Sequence, residues 1–145
     1  MFAGEYPLDG YTHSVMSDIV YREGFAAPDF LALAQRVWPR AYEFEPAAAA
    51  LTHTVNLGAW SQGTLVGSVR LLTDGYFYAT IPEILVAPEY QGRGIGEELM
   101  RRIVALAPKG KVAFAAQPQS VGFFQRIGCE QRLTSFVAAE LSVDE

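Results

Sequence analysis

Cysteine and histidine are scarce in this sequence, which has one cysteine, Cys129, and two histidines, His13 and His53, among its 145 residues. A lone cysteine excludes an internal disulfide, and so few cysteine and histidine side chains predict that no metal site is present. Basic residues are also in deficit, since 11 Lys and Arg stand against 16 Asp and Glu. The resulting net charge of -5 argues against a nucleic-acid-binding surface and favours cationic ligands.

Long hydrophobic runs and linkers are absent from the sequence as well. The sequence has no stretch of about 18 apolar residues, the length needed to cross a membrane. Its first ten residues carry Glu5 and Asp9 in place of a basic leader. We therefore expect a soluble cytoplasmic protein with no membrane partner. Half of the residues are hydrophobic and no Pro/Gly/Ser-rich stretch divides the chain, so we predict one domain over residues 1–145.

Hydrophobic periodicity and turn residues predict a mixed order of helices and strands. Prolines begin the early helical stretches, Asp74-Gly75 marks a hairpin turn, and Pro108 stops the long amphipathic helix. The predicted strands cover residues 18–23, 56–60, 65–72, 76–86, 111–116 and 133–141. The predicted helices cover residues 28–38, 46–53, 95–106 and 120–127.

A glycine-rich segment, residues 91–96 (QGRGIG), lies between a strand-like run and an amphipathic helix. Its glycines let an anion approach the main chain, because no Cβ stands in the way. The free N–H groups and positive dipole end of the helix favour negative charge, and Arg93 adds a cation. The i,i+4 pairs of residues 97 with 101 and 98 with 102 support the helix. The segment therefore predicts a phosphate-binding loop.

Two other phosphate-binding loops fit this segment poorly. A Walker loop ends in Gly-Lys-Ser/Thr, which is missing here, and a dinucleotide loop has the spacing G-x-G-x-x-G, whereas Glu97 takes the sixth place. A glycine-rich turn that merely joins strand to helix stays open as an alternative.

Residues 86–96 (VAPEYQGRGIG) resemble the acyl-CoA signature of the GNAT N-acetyltransferases, whose core is Gln/Arg-x-x-Gly-x-Gly/Ala. Residues 122–129 (GFFQRIGC) are similar to the later Phe-Tyr-x-x-x-Gly-Phe stretch of that family. The resemblance implies one α/β (α+β) domain with a central, mostly antiparallel mixed sheet flanked by about four helices. It also implies that strands 76–86 and 111–116 splay apart to admit the pantetheine arm of acetyl-CoA.

The resemblance implies a set of residues that bind the coenzyme. Backbone groups of Leu85 and Val86 would bond the pantetheine amides near Pro82, a residue that interrupts strand pairing. The remaining cofactor-binding residues would be Gln91, Gly92, Arg93, Gly94, Ile95, Gly96, Gln117 and Phe124.

A catalytic base is needed because a free alkylamine is protonated near neutrality. Glu83 is our candidate, since strand alternation places its carboxylate on one face with Ile81 and Leu85, where it is costly unless it touches water or ligand. The family often has its base on this strand. A solvated edge carboxylate is the open alternative.

The position at which the family commonly has a tyrosine proton donor is Phe124 in this sequence, which has no proton to give. Tyr76, Tyr78 or a water is a substitute donor, although each tyrosine also fits a packing role. The thiol is a fair leaving group without such help, since a free cysteine thiol has a pKa of about 8.5. Cys129 is expected to pack as a small apolar residue.

We therefore expect an N-acetyltransferase that transfers an acetyl group from acetyl-CoA to a primary amine by direct attack in a ternary complex. The acceptor would be a small molecule or a peptide, its pocket shaped by residues 25–54 and 136–145 in keeping with the family, which also frequently dimerises. The rival is a catalytically weak acyl-CoA-binding sensor or regulatory domain, which Phe124 supports. A nucleotide-binding module is a distant third.

Overall fold

The computed structural model describes residues 18–132 and 135–138. The chain separates into two compact units, the first ending at Ala113 and the second beginning at Phe114. The single-domain organisation over residues 1–145 stays a prediction. Within the described ranges, no helix has the length and apolar character needed to span a bilayer.

The first unit is built on a five-stranded sheet. Its strands are β1 (Ile19–Glu23), β2 (Val55–Ser61), β3 (Thr64–Thr73), β4 (Ala79–Thr80) and β5 (Ile84–Val86). β2 pairs with β1 on one side and with β3 on the other, while β4 and β5 pair with successive stretches of β3. All these pairs are antiparallel, which confirms the predicted fold class of a mixed α/β protein with a mostly antiparallel sheet.

Three helices belong to the first unit and one to the second, within the described residues. They are α1 (Ala27–Val37), α2 (Phe44–Leu51), α3 (Ile95–Leu106) and α4 (Val121–Arg126). α1 begins with a proline in its first turn, as predicted, and α3 has the predicted bounds. α2 begins two residues before the predicted start at Pro46. A proline is tolerated anywhere in the first turn of a helix, so it does not have to be the first helical residue.

The two long helices cover opposite faces of the sheet. Gly67 of β3 meets α3, because a Cβ built on this glycine would lie 3.1 Å from both Ile95 Cγ2 and Leu99 Cδ1. Arg70, three residues further along the strand, therefore points to the other face, where its guanidinium lies 5.6 Å from the ring centroid of Phe30 in α1. The core of the first unit consequently lies in two layers, one on each side of the sheet.

The predicted strand over residues 76–86 is interrupted twice. Residues 76–78 belong to the turn after β3, in which the Asp74 carboxylate accepts hydrogen bonds from the N–H groups of residues 76, 77 and 78 at 2.8–3.1 Å. The side chain thus holds a wider turn than the two-residue hairpin that Asp-Gly predicts. A second break over residues 81–83, at Pro82, separates β4 from β5, since proline cannot donate to the sheet.

The predicted strand over residues 111–116 is wrong, because no strand is assigned there. The Ala113 N–H does donate to the Ala79 carbonyl at 3.0 Å, but three alanines among the six residues give the segment a weak β propensity. The splayed strand pair that the prediction required is therefore not observed; β5 instead keeps one edge without a partner strand among the described residues.

The second unit has little regular structure among its described residues. A 3₁₀ turn at Pro118–Ser120 leads into α4, which lies within the predicted helix of residues 120–127. The rings of Phe114 and Phe124 pack with centroids 4.7 Å apart. Residues 135–138 form no strand, and the rest of the predicted strand over residues 133–141 lies outside the described residues.

Candidate functional site

The glycine-rich segment forms a loop between a 3₁₀ turn, Pro88–Tyr90, and the start of α3. Gly92 and Gly94 have positive φ angles of 76° and 83°, which glycine adopts without the strain that other residues incur. A Cβ on either residue would find no protein atom within 4 Å, so the space beside both is open. Gly96 differs, because it lies inside the first turn of α3 and is not a positive-φ residue.

The loop exposes a run of backbone N–H groups. Within residues 18–132 and 135–138, the N–H groups of residues 92–94 donate to no backbone acceptor, and no side chain caps the helix. The Glu98 N–H donates to the Gly94 carbonyl at 3.1 Å, so the N–H groups of residues 95–97 precede the first intrahelical bond. The main chain over residues 92–97 can therefore offer consecutive donors to an anion.

Arg93 supplies the positive side chain of this loop. Its guanidinium lies 5.0 Å from the ring centroid of Tyr90, whose hydroxyl donates to Ser61 Oγ at 3.1 Å. Tyr90 therefore links Arg93 to the end of β2. The two glutamates in the first turn of α3 would by themselves repel an anion. Each pairs with an arginine one turn later, as the spacing predicted, and the N–O distances are 3.3 Å for residues 97 and 101 and 2.8 Å for residues 98 and 102.

The register of β5 decides which backbone groups face the unpaired edge of the sheet. Leu85 is paired with Ser68 of β3. Two hydrogen bonds lie on either side of this pair, one from the Ala87 N–H to the Val66 carbonyl (2.8 Å) and one from the Arg70 N–H to the Glu83 carbonyl (3.4 Å). In an antiparallel ladder, that bracketed pair exchanges both of its hydrogen bonds. The backbone groups of Leu85 are therefore used within the sheet, and the expectation that they are free is wrong.

Val86 has the opposite orientation, with its N–H and carbonyl facing away from β3. The side-chain amide of Gln91 donates to the Val86 carbonyl at 3.0 Å. The end of β5 and the start of the glycine-rich loop are thus joined by a side chain. A ligand at this edge could accept a hydrogen bond from the Val86 N–H and donate one to the Val86 carbonyl, which keeps a second lone pair.

Glu83 lies between β4 and β5 and pairs with Arg70. Arg70 Nε donates to Glu83 Oε2 and Arg70 Nη2 donates to Glu83 Oε1, both at 2.6 Å. The two side chains are only 13% and 14% exposed, so the pair is shielded from water on most sides. Two parallel charge-assisted bonds fix the carboxylate plane and leave the second lone pair of each oxygen available.

A cavity of about 310 Å³ adjoins this ion pair within the first unit. Arg70, Glu83 and Leu85 contribute to its lining from the sheet, while α1, α2 and the loop between them contribute the rest. These helical residues fall within the segment 25–54 that the resemblance assigns to the acceptor pocket. The other predicted segment, residues 136–145, lies largely outside the described residues.

Known proteins resemble this chain over most of its length. The model of the acetyltransferase (GNAT) family matches residues 23–129. The chain belongs to this family. The structure of a GNAT family acetyltransferase from Streptococcus pneumoniae TIGR4 superposes with a TM-score of 0.74 at 27% identity, covering 86% of this chain and 99% of that one.

Two relatives show the range of GNAT proteins that this chain is similar to. The N-alpha-acetyltransferase RimI of Mycobacterium tuberculosis is 39% identical over 107 residues, which is 66% of each chain. The histone acetyltransferase TAP1 of Glycine max is 32% identical over 117 residues, covering 70% of this chain. The chain spans about half or less of the length of the plant relatives it matches, with coverages of 47%, 27% and 51%.

The two remaining GNAT motif positions lie in the second unit. Gln117 is exposed just before the 3₁₀ turn, and Phe124 is half-buried between the rings of Phe114 and Phe123, with centroid distances of 4.7 and 5.1 Å. Their coenzyme-binding roles stay predictions. Cys129 is partly buried, and burial raises the pKa of its thiol. A raised pKa disfavours the reactive thiolate, so the side chain fits a packing role better than that of a nucleophile.

The other aromatic and histidine candidates are dispersed. Tyr76 and Tyr78 are 74% and 59% exposed in the turn after β3, and Trp38 lines the cavity. Trp60 is buried beneath the Arg22 guanidinium, which lies 4.2 Å from its ring centroid. His53 is exposed after α2, and His13 lies outside the described residues.

Sequence reasoning missed Arg70 and Tyr42 as parts of the site. Arg70 carries a readable signal, because it is the one charged residue in the apolar run of residues 65–72 and such a side chain requires a partner when buried. The partner is Glu83, in the break between β4 and β5. Tyr42 carries no signal of this kind, since only the folded loop between α1 and α2 brings it to the cavity.

Proposed function

We propose that this chain is an acetyl-CoA-dependent N-acetyltransferase that transfers the acetyl group to a primary amine in a ternary complex. The observation that carries the proposal is a run of N–H groups over residues 92–97 that have no backbone acceptor among the described residues, with Arg93 beside it, at the start of a long helix. Such a site suits the diphosphate of a coenzyme, because donors and dipole favour negative charge and the two positive-φ glycines leave room for it.

The pantetheine arm would run along the unpaired edge of β5. The Val86 N–H faces that edge, and the Val86 carbonyl accepts from Gln91 while retaining a second lone pair. An extended amide chain pairs with a free strand edge through such groups. In this arrangement Gln91 keeps the end of β5 aligned with the glycine-rich loop. Val86 alone bonds the pantetheine amides, a role that the sequence analysis expected of both Leu85 and Val86.

Glu83 is the proposed proton acceptor. The ammonium form of the amine first gives up one proton. The neutral nitrogen then forms a bond to the acetyl carbon, the carbon–sulfur bond breaks, a second proton leaves the nitrogen, and the coenzyme departs as a thiolate that takes up a proton. Both carboxylate oxygens already accept from Arg70, so we assign proton transfer to a water bonded to a remaining lone pair of Glu83. Phe124 cannot protonate the sulfur, and Tyr76 and Tyr78 are exposed in the turn after β3, so we assign the proton source to solvent.

A thiol-release assay with acetyl-CoA and a panel of amines tests this function. We expect amine-dependent release in the wild type and a fall in kcat of about a hundredfold for Glu83→Gln, the usual size of a lost general base. Glu45→Gln, an exposed carboxylate in the first turn of α2, is the matched control and should retain activity.

The rival function, a sensor that binds acyl-CoA without efficient transfer, is favoured by the phenylalanine at position 124. It predicts acetyl-CoA binding by calorimetry with no amine-dependent thiol release and no effect of Glu83→Gln. Absence of both binding and release would rule out the two functions together.

A further inference from the structure

The cavity beside the Arg70–Glu83 pair has a distinctive size and position. Its volume of about 310 Å³ lies near the lower end of the range for small-molecule sites. Glu83 and Leu85 line it, three residues and one residue before Val86, whose backbone faces the unpaired edge of β5. A molecule in this cavity would therefore lie within a few residues of the edge proposed to hold the acetyl-CoA arm.

The walls of the cavity are predominantly apolar and aromatic. Rings and alkyl groups from both helices face it, together with the side chain at the end of the sheet: Phe30, Leu31, Ala34, Trp38, Ala47 and Leu85. Aromatic walls of this kind stabilise a flat apolar body through burial and ring packing. Trp38 is 50% exposed, so part of its indole remains available to a ligand.

Three of the polar side chains around the cavity already have hydrogen-bond partners. Arg70 and Glu83 bond each other, and the Tyr42 hydroxyl donates to the Trp38 carbonyl at 2.7 Å. The Arg40 guanidinium lies 4.9 Å from the ring centroid of Tyr42. A ligand with many hydroxyl or ammonium groups would lose more hydrogen bonds to water than the few remaining acceptors here can replace, which is costly.

The charges of the lining are balanced as well. The described lining contains two cationic side chains, Arg40 and Arg70, and two carboxylates, Glu43 and Glu83. The net charge of -5 for the whole chain favours cationic ligands in general, but among the described residues the lining has no surplus of carboxylates to hold several positive charges.

We propose that the acceptor is a compact monoamine with an apolar, aromatic body. Its ring packs against Phe30 and Trp38, and its single amino group lies at the Glu83 end of the cavity. This inference rests on the proposed function, because the cavity is an acceptor site only if the neighbouring edge binds acetyl-CoA. Polyamines, aminoglycosides and peptide N-termini are the alternatives that it excludes as preferred substrates.

The first test measures kcat/KM for phenethylamine and tryptamine against spermidine, kanamycin and a short glycine-rich peptide, all at saturating acetyl-CoA. We expect the two arylalkylamines to exceed the others by about tenfold or more, because unpaired polar groups on the others oppose their entry. A preference of the same size for spermidine, kanamycin or the peptide would overturn the proposal.

The second test places a larger side chain in the cavity. Ala50 lines it and is exposed, so Ala50→Leu should fold normally and raise the KM for phenethylamine by about tenfold, through the volume it removes. Ala49→Leu is the matched control, since Ala49 is exposed on the same helix and does not line the cavity. The KM for acetyl-CoA should stay unchanged in both variants, and equal effects of the two on the amine KM would contradict the proposal.

Calorimetry separates failure of this inference from failure of the proposed function. Acetyl-CoA is titrated first, and phenethylamine is then titrated into the protein saturated with CoA. If the coenzyme binds and phenethylamine does not, the acceptor class is wrong while the coenzyme site stands. If the coenzyme itself does not bind, the proposed function fails and the acceptor inference fails with it.

Discussion

Arg70 and Glu83 join β3 to the segment before β5 through two parallel hydrogen bonds of 2.6 Å, at the edge of the cavity. Both side chains are at most 14% exposed, and the ring of Phe30 lies 5.6 Å from the guanidinium. Loss of either partner leaves the other charge shielded from water without compensation. The pair is therefore expected to stabilise the fold as well as to orient the carboxylate.

This expectation gives a prediction about stability. Glu83→Gln should lower the free energy of unfolding by about 1–3 kcal/mol, since one charged hydrogen-bonding partner of a poorly solvated arginine is lost. Urea denaturation of the full chain measures the change. Glu89→Gln breaks the more exposed pair with Arg36 and should cost less than about 1 kcal/mol.

A double-mutant cycle isolates the interaction. Arg70→Gln combined with Glu83→Gln should destabilise by about 1 kcal/mol less than the sum of the single changes, because the second substitution removes a charge already left unpaired. Additive effects of the two substitutions would show that the pair contributes nothing as a unit.

The glycine-rich loop allows a matched pair of substitutions. Gly94 and Gly75 have φ angles of 83° and 84°, and a Cβ on either would meet no protein atom within 4 Å. Alanine at either position should therefore cost a similar free energy of unfolding, of about 1–2 kcal/mol. Only Gly94→Ala should weaken CoA binding, by about tenfold or more, because its methyl group occupies space beside the anion site.

Calorimetric titration with CoA measures both variants. Gly75 lies in the turn after β3, apart from the loop, so Gly75→Ala controls for backbone strain alone. Equal losses of affinity would mean that strain, and not the loop, determines binding.

Much of this architecture was readable from the sequence because local signals agreed with the fold. Prolines and periodicity located α1 and α3, and the apolar runs on either side of Gly63 located β2 and β3. The turn before α3 was equally readable, since Gly92 and Gly94 are needed there for their positive φ angles. These features depend on a few neighbouring residues, which a sequence displays directly.

Other features depend on pairing between distant segments and could not be read in this way. Whether the backbone groups of Leu85 are free depends on its register with Ser68, and the state of residues 111–116 depends on whether a partner strand accepts them. The bidentate contact between Arg70 and Glu83 likewise needs both segments in place. Composition and spacing do not specify such contacts.

Tyr90 is predicted to act on the coenzyme through Arg93. Tyr90→Leu removes the ring beneath the guanidinium and should weaken CoA binding by about two- to fivefold, as expected for a cation–π contact worth about 0.5–1 kcal/mol. Tyr90→Phe keeps the ring and loses only the bond to Ser61, so its effect should be smaller.

Arg93→Gln provides the reference for this relationship. This variant should weaken CoA binding by more than Tyr90→Leu does. It should also reduce the salt dependence of the affinity, because salt screens the exposed charge contact that the variant removes. In the Arg93→Gln background, Tyr90→Leu should have no further effect. A full additional loss of affinity would show that Tyr90 acts independently of Arg93.

The turn after β3 should respond to acid through Asp74. Hydrogen bonds from the N–H groups of Tyr76, Tyr78 and Phe77 hold the pKa of the Asp74 carboxyl below its ordinary value of 3.8. The carboxylate therefore stabilises the turn above the pKa of the unfolded state, and that stabilisation is lost as the pH falls through the lower folded pKa. Carboxyl chemical shifts followed by NMR should give a midpoint below 3.8 for Asp74.

Asp74→Asn controls for this effect, since an amide oxygen still accepts hydrogen bonds and does not titrate. The variant should leave the amide resonances of residues 76–78 independent of pH in the acid range. A midpoint at or above the ordinary value in the wild type would mean that these hydrogen bonds do not persist in solution.

A crystal structure with acetyl-CoA bound tests most directly whether the main chain of residues 92–97 holds the coenzyme. We predict diphosphate oxygens within about 2.7–3.2 Å of several N–H groups in this segment, with the pantetheine arm bonded to the Val86 backbone. A complex in which the diphosphate lies elsewhere, with these N–H groups facing only solvent, would contradict the proposed function at its foundation.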